Sequence, residues 1–80
     1  MSALDRHPDA QVELQLRRLR ASGWKIVKSR FGNFYDITCK AGTMNTRITA
    51  RAGRTGLKGK TAQEQLFDFL VKHNAKHPGE

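Results

Sequence analysis

The apolar residues of this chain change period twice, and that change limits the folds open to it. Val12, Leu16 and Leu19 recur at helical spacing, with Ala10 before them. From Trp24 to Arg51 the pattern becomes short runs and alternation: Met44, Thr46, Ile48 and Ala50 fall on one face, Asn45, Arg47, Thr49 and Arg51 on the other. Helical spacing then returns in Ala62, Leu66, Phe69, Leu70 and His73. The order is therefore helix, three strands, helix: an α+β chain of the form α-β-β-β-α.

The boundaries come from turn and cap chemistry. His7, Pro8 and Asp9 form a helix entry, since Asp caps well and Pro is tolerated in a first turn. The first helix should run from about Asp9 to Ala21, with Gly23 ending it after Ser22 in a left-handed conformation. The first strand is expected over Trp24 to Arg30. Gly32-Asn33, two residues that tolerate positive φ, should supply the turn after it. The second strand should hold Phe34, Tyr35, Ile37 and Cys39 and end near Lys40. Ala41-Gly42-Thr43 turns the chain into a third strand over Met44 to Arg51. Such short links predict a three-stranded antiparallel meander. After a glycine-rich connection over Ala52 to Lys60, Thr61-Ala-Gln-Glu64 reads as a capping box opening a helix that extends to about Asn74. Both helices can bury their stripes on one face of the sheet, which leaves the other face wet or available to a partner. With 80 residues the chain is expected to be a single domain, 1-80, with flexible ends at 1-8 and 75-80.

Charge says more about partners than about fold. Fifteen Lys and Arg face seven Asp and Glu, a net charge of +8. Between Leu14 and Tyr35 lie Arg17, Arg18, Arg20, Lys25, Lys28 and Arg30 without an acid. Between Ile37 and Gln63 lie Lys40, Arg47, Arg51, Arg54, Lys58 and Lys60, again without one. The acids Asp5, Asp9, Glu13, Glu64 and Asp68 gather near helix starts, where the helix dipole favours them. A basic excess of this kind points to phosphate backbones or acidic surfaces. A membrane surface fits poorly, because neither helix pairs a cationic face with a bulky apolar stripe. The first residues hold no apolar run suited to a signal peptide, and the single Cys39 can form no internal disulfide, so a cytoplasmic protein is expected.

The most suggestive segment is Arg51-Ala-Gly-Arg-Thr-Gly-Leu-Lys-Gly-Lys-Thr61. Glycines let a backbone approach a ligand, the cations add charge, and the following helix offers unpaired N–H groups at its positive end. Arg51, Arg54, Lys58 and Lys60 are the expected loop contacts. Arg17 and Arg20, three apart on the first helix, form a second group that Lys28 and Arg30 extend. Gly59-Lys60-Thr61 mimics the end of a nucleotide-binding P-loop, but Arg54 stands where that motif needs glycine, which argues against an ATPase. Trp24, Phe34 and Phe69 are expected in the core. Phe31 and Tyr35, near Arg30, are candidates to stack on an unpaired base or to anchor a partner. Phe67 and Val71 fall off the second helix's stripe and suggest a homodimer contact; the chain is expected to be a monomer or a homodimer. His7, His73 and His77 have no Cys or carboxylate at ligand spacing, so no metal site is expected. Asp36 is the single acid between Glu13 and Glu64, so a paired-carboxylate catalyst is not expected either, and no cofactor is called for.

The element order, together with Leu19-Arg-Ala-Ser-Gly-Trp-Lys-Ile-Val27, resembles the double-stranded-RNA-binding fold. It is closest to the HicA-type toxins, the mRNA-interferase partners of toxin–antitoxin pairs, over roughly residues 12 to 72. By that resemblance, Gly32-Asn33-Phe34 stands where the family carries its catalytic histidine. The resemblance therefore implies the fold and a nucleic-acid surface without the ribonuclease. Lys58 and Lys60 lie near the place where the double-stranded-RNA domain uses lysines, and Ala62-Gln63-Glu64 replaces its lysine cluster. Taken together, the sequence predicts a small non-enzymatic protein that holds the phosphate backbone of RNA or DNA. The alternatives are a regulator or inhibitor docking an acidic protein surface through Phe31 or Phe67, and a HicA-like interferase relative.

Overall fold

A computed structural model of the chain describes residues 6–78. Helix α1 (Ala10–Ala21) is followed by strands β1 (Lys25–Lys28), β2 (Phe34–Thr38) and β3 (Asn45–Thr49), then helix α2 (Ala62–Lys76). The strands form one antiparallel sheet in the order β1-β2-β3. The chain thus has the α-β-β-β-α order, with both helices on one face of the sheet.

Local chemistry sets the ends of α1. Asp9 caps it by accepting from the N–H groups of Gln11 and Val12, so Pro8 lies one residue ahead of the cap. At the other end Gly23 has φ of 95°. Its N–H donates to the Arg20 carbonyl while that of Trp24 donates to the Leu19 carbonyl, the paired bonds of a Schellman motif. Helix α2 opens with the expected capping box: Thr61 Oγ1 accepts from the Glu64 N–H, and the Glu64 carboxylate accepts from the Thr61 N–H. It continues to Lys76, past the expected stop at Asn74. His77 closes it, and a hydrogen bond of 3.0 Å joins His77 Nε2 to Thr43 Oγ1.

The strands are shorter than expected because the turns claim more chain. Gly32 alone in the β1–β2 turn takes a positive φ, and Ser29 Oγ fastens that turn by accepting from the N–H groups of Asn33 and Phe34. Gly42 does the same for the second turn, with φ of 77°.

Pairing of Ile26 with Ile37, and of Tyr35 with Ile48, puts these side chains on the helix side, where Val12, Leu16, Leu66 and Phe69 cover them. Helix α1 lies over β1, and α2 lies over β3. The opposite face carries Lys25, Val27, Phe34, Asp36, Thr38, Asn45 and Arg47. Phe34, expected in the core, is therefore on the open face and half-buried, because its parity on β2 is opposite to that of Tyr35, Ile37 and Cys39.

His7 departs most from its expected terminal role. It is buried, and its Nδ1 accepts from the Asp9 N–H, so Nε2 carries the hydrogen and donates to the Thr49 carbonyl at 2.8 Å. The Thr49 N–H in turn donates to Gln65 Oε1 on α2, also at 2.8 Å. Both backbone groups of Thr49 face the free edge of β3, since Ile48 and Ala50 are the residues that pair toward β2. One end of that edge is thus closed by two side chains, and Thr49 is buried although its alternation predicts an outward face.

Candidate nucleic-acid interface

The loop from Arg51 to Lys60 is more ordered than its glycine content suggests. The Gly56 N–H donates to the Lys60 carbonyl at 2.9 Å, and a 3-10 turn occupies Leu57–Gly59. Within it Lys58 has φ of 62°, a left-handed conformation costly for a residue with a Cβ. The loop is stapled to α2 by Arg54 Nη1 on Glu64 Oε1 at 3.2 Å and by Lys60 Nζ on Asp68 Oδ2. Two of the four loop cations thus already hold carboxylates. The Asp68 partner raises the Lys60 pKa above the ordinary lysine value.

The same contacts alter the expected phosphate seat at the start of α2. The Glu64 carboxylate fills that position, accepting from the Thr61 N–H. This bond, the Thr61 hydroxyl, and the charges of Arg54 and Lys60 hold its pKa below the usual carboxylate range. An incoming phosphate would meet a fixed negative charge there.

Arg51 and Lys58 remain exposed, with no carboxylate within ion-pair distance among the described residues. Arg51 is fastened to the β1–β2 turn instead, where Nη2 donates to Asn33 Oδ1 at 3.2 Å. Phe31 lies in this same turn, 82% exposed, next to the exposed Arg30. Arg30, Phe31, Asn33 and Arg51 are thereby gathered at one end of the sheet, a grouping that joins two separate candidate segments.

The other candidates lie elsewhere. Arg17 on α1 pairs with Glu13 at 2.9 Å, and Arg20 is half-buried near the same carboxylate. Lys28 shares the inner face of β1 with Ile26, its ammonium 5.9 Å from the centre of the Tyr35 ring. Lys28 on β1 is separated from β3 by β2, whereas Arg17 joins through Glu13 and His7 the chain of contacts that ends at Thr49. Tyr35 is 1% exposed and cannot serve as a stacking surface: Lys28, His7 and the helices cover it.

Three basic or aromatic features of the surface escaped the sequence reading. On the open face the Arg47 guanidinium sits 4.6 Å from the centre of the Phe34 ring and pairs with Asp36 at 2.9 Å. Alternation on β2 and β3 carries the signal for that trio. Asn33 anchors Arg51, and nothing local to residue 33 announces it. Lys72 lies with Arg47, Lys58, Lys60, Leu57 and Phe69 around a groove of about 270 Å³ between β3 and α2. Among the described residues no group of His, Cys, Asp and Glu is placed to hold a metal ion, and no helix is long and apolar enough to cross a membrane.

Compared with protein-family models, with curated proteins and with solved structures, the chain matches none of them.

Proposed function

We propose that this chain is a small, non-enzymatic nucleic-acid-binding protein that holds phosphate backbones, in a reducing compartment where Cys39 stays reduced. The observation that carries this reading is the meeting of Arg30, Arg51 and the exposed Phe31 at the β1–β2 turn. Neither guanidinium has a carboxylate partner among the described residues, and such groups bind phosphate through charge-assisted hydrogen bonds. An exposed aromatic ring beside them offers a stacking platform for an unpaired base. Lys58 supplies a further phosphate contact from the loop, while Arg54 and Lys60 brace that loop against α2. Contacts of this sort position a ligand without reading its sequence.

The test is fluorescence anisotropy with labelled single strands and duplexes at several salt concentrations. Three cations on a single strand predict a slope of log K against log salt near about −2. Arg51→Ala should reduce the slope's magnitude by roughly 0.7, and Phe31→Ala should cost about 1–3 kcal/mol of single-strand affinity with little effect on the slope. Absence of binding at low salt, or affinity unchanged in both variants, refutes the proposal.

A further inference from the structure

The antiparallel pattern turns the backbone groups of Asn45, Arg47 and Thr49 away from β2, toward the free edge of β3. His7 and Gln65 occupy those of Thr49. The N–H and C=O groups of Asn45 and Arg47 have no partner among the described residues. Edge groups of this kind are a template for an additional strand, and proteins that do not use them usually bury or cover them. Here one end is covered and the next stretch is left open.

Beside the open stretch runs the groove between β3 and α2. Its floor includes the buried Phe69, and its wall includes Leu57, which is 78% exposed. Arg47, Lys58, Lys60 and Lys72 surround it, and Asp68, the one acid on its lining, is already paired with Lys60. A second hollow of about 390 Å³ continues along β3 past Leu57 to Thr49 and Phe34. Open backbone groups, an apolar floor and a basic rim occur together along this edge.

We infer that the free edge of β3 between Asn45 and Arg47 binds an extended acidic peptide, which adds as a fourth strand. Its backbone hydrogen-bonds with Asn45 and Arg47. Its alternate side chains follow the pleat: carboxylates on the helix side reach the Lys58 and Lys72 cations beside Leu57, and small apolar side chains fall on the open face beside Arg47. The plug at Thr49 limits the pairing to a short segment. Lys58 is shared with the phosphate-binding loop, so peptide and oligonucleotide compete there. The site otherwise stands independently of the nucleic-acid reading.

The test uses a labelled hexapeptide of alternating Glu and Val, the same peptide N-methylated at all its backbone amides, and the full chain. N-methylation keeps the charge and removes the strand-forming donors. The inference expects binding of the unmodified peptide, at least tenfold weaker binding of the methylated one, and at least tenfold weaker binding by the Lys72→Glu variant. Equal binding of both peptides would show charge attraction alone and overturn it, as would binding unaffected by Lys72→Glu. A dimer of the chain by light scattering that the peptide does not disperse would assign the edge to a second copy and likewise overturn it.

Discussion

Gly56 sits where a side chain has no room, and replacing it tests how the basic loop is held. Its φ of −78° is ordinary for any residue, so the constraint is steric. A Cβ at this position would lie 2.6 Å from the Lys60 carbonyl oxygen and 2.6 Å from Cδ and Oε1 of Gln65. The first contact is with backbone, and with the same carbonyl that accepts from the Gly56 N–H. The second is with the side chain that holds the Thr49 N–H. Gly56→Ala must therefore loosen two hydrogen bonds, each contributing about 1 kcal/mol. The reduced freedom of the unfolded chain returns about 0.4–1 kcal/mol. With the residual clash, we expect a net loss of about 1–3 kcal/mol. Against a total of roughly 4–12 kcal/mol for a chain this size, that is a substantial fraction. Urea unfolding followed by Trp24 fluorescence should register a midpoint lower by about 1 M or more. The double variant Gly56→Ala with Gln65→Ala separates the two contacts. In the Gln65→Ala background the added alanine should cost about 1 kcal/mol less, because only the Lys60 carbonyl still opposes it. An unchanged or raised midpoint in Gly56→Ala, or an identical increment in both backgrounds, would refute this account.

Two further expectations concern titration. Burial pushes the Cys39 thiol up, but hydrogen bonds from the Met44 backbone, the Thr43 side chain and the Thr43 and Gly42 backbone outweigh it and lower its pKa from 9.0 to about 7. Thiolate absorbance in the native protein should therefore rise with a midpoint near 7; a midpoint near 9 would contradict that hydrogen-bonded setting. Because the folded value is depressed, the associated stability is present above the unfolded pKa and is lost as pH falls through about 7. Glu13 behaves similarly in the acid range: burial raises its pKa, yet the His7 N–H and the Arg17 guanidinium bring it below 4.5. Its contribution is present above 4.5 and disappears as pH drops through the lower folded value, so Glu13→Gln should flatten the acid limb of a thermal-stability profile. A limb unchanged in that variant would mean that the Glu13 charge is not what the fold depends on there.

What could be read from the sequence was what neighbouring residues decide. The capping box at Thr61 and Glu64, the glycine stop at Gly23 and the helix–strand order all rest on interactions a few residues long, and all are present. Parity along a strand was equally legible in principle: Tyr35, Ile37 and Cys39 fall on one side, which sends Phe34 to the other despite its size. The failures involve distant partners. Arg54 and Lys60 looked like available phosphate ligands until Glu64 and Asp68, ten and eight residues on, proved to hold them. His7 looked terminal, and Thr49 looked outward-facing, because neither sequence neighbourhood contains the other. The gathering of Arg51 with Phe31 depends on Asn33, a residue whose turn propensity masked its role as an acceptor.

The bond between His7 and Thr49 has a kinetic consequence. It links residues 42 apart, whereas both hairpins of the sheet close over short turns. Closure entropy rises with the length of chain enclosed, so we expect the meander to assemble before this link forms during refolding. Until it does, β3 presents the Thr49 carbonyl along with Asn45 and Arg47, and sticking to another molecule competes with completing the fold. His7 would then act as a built-in guard against misassembly, and chains trimmed past it would show this by aggregating more as they refold.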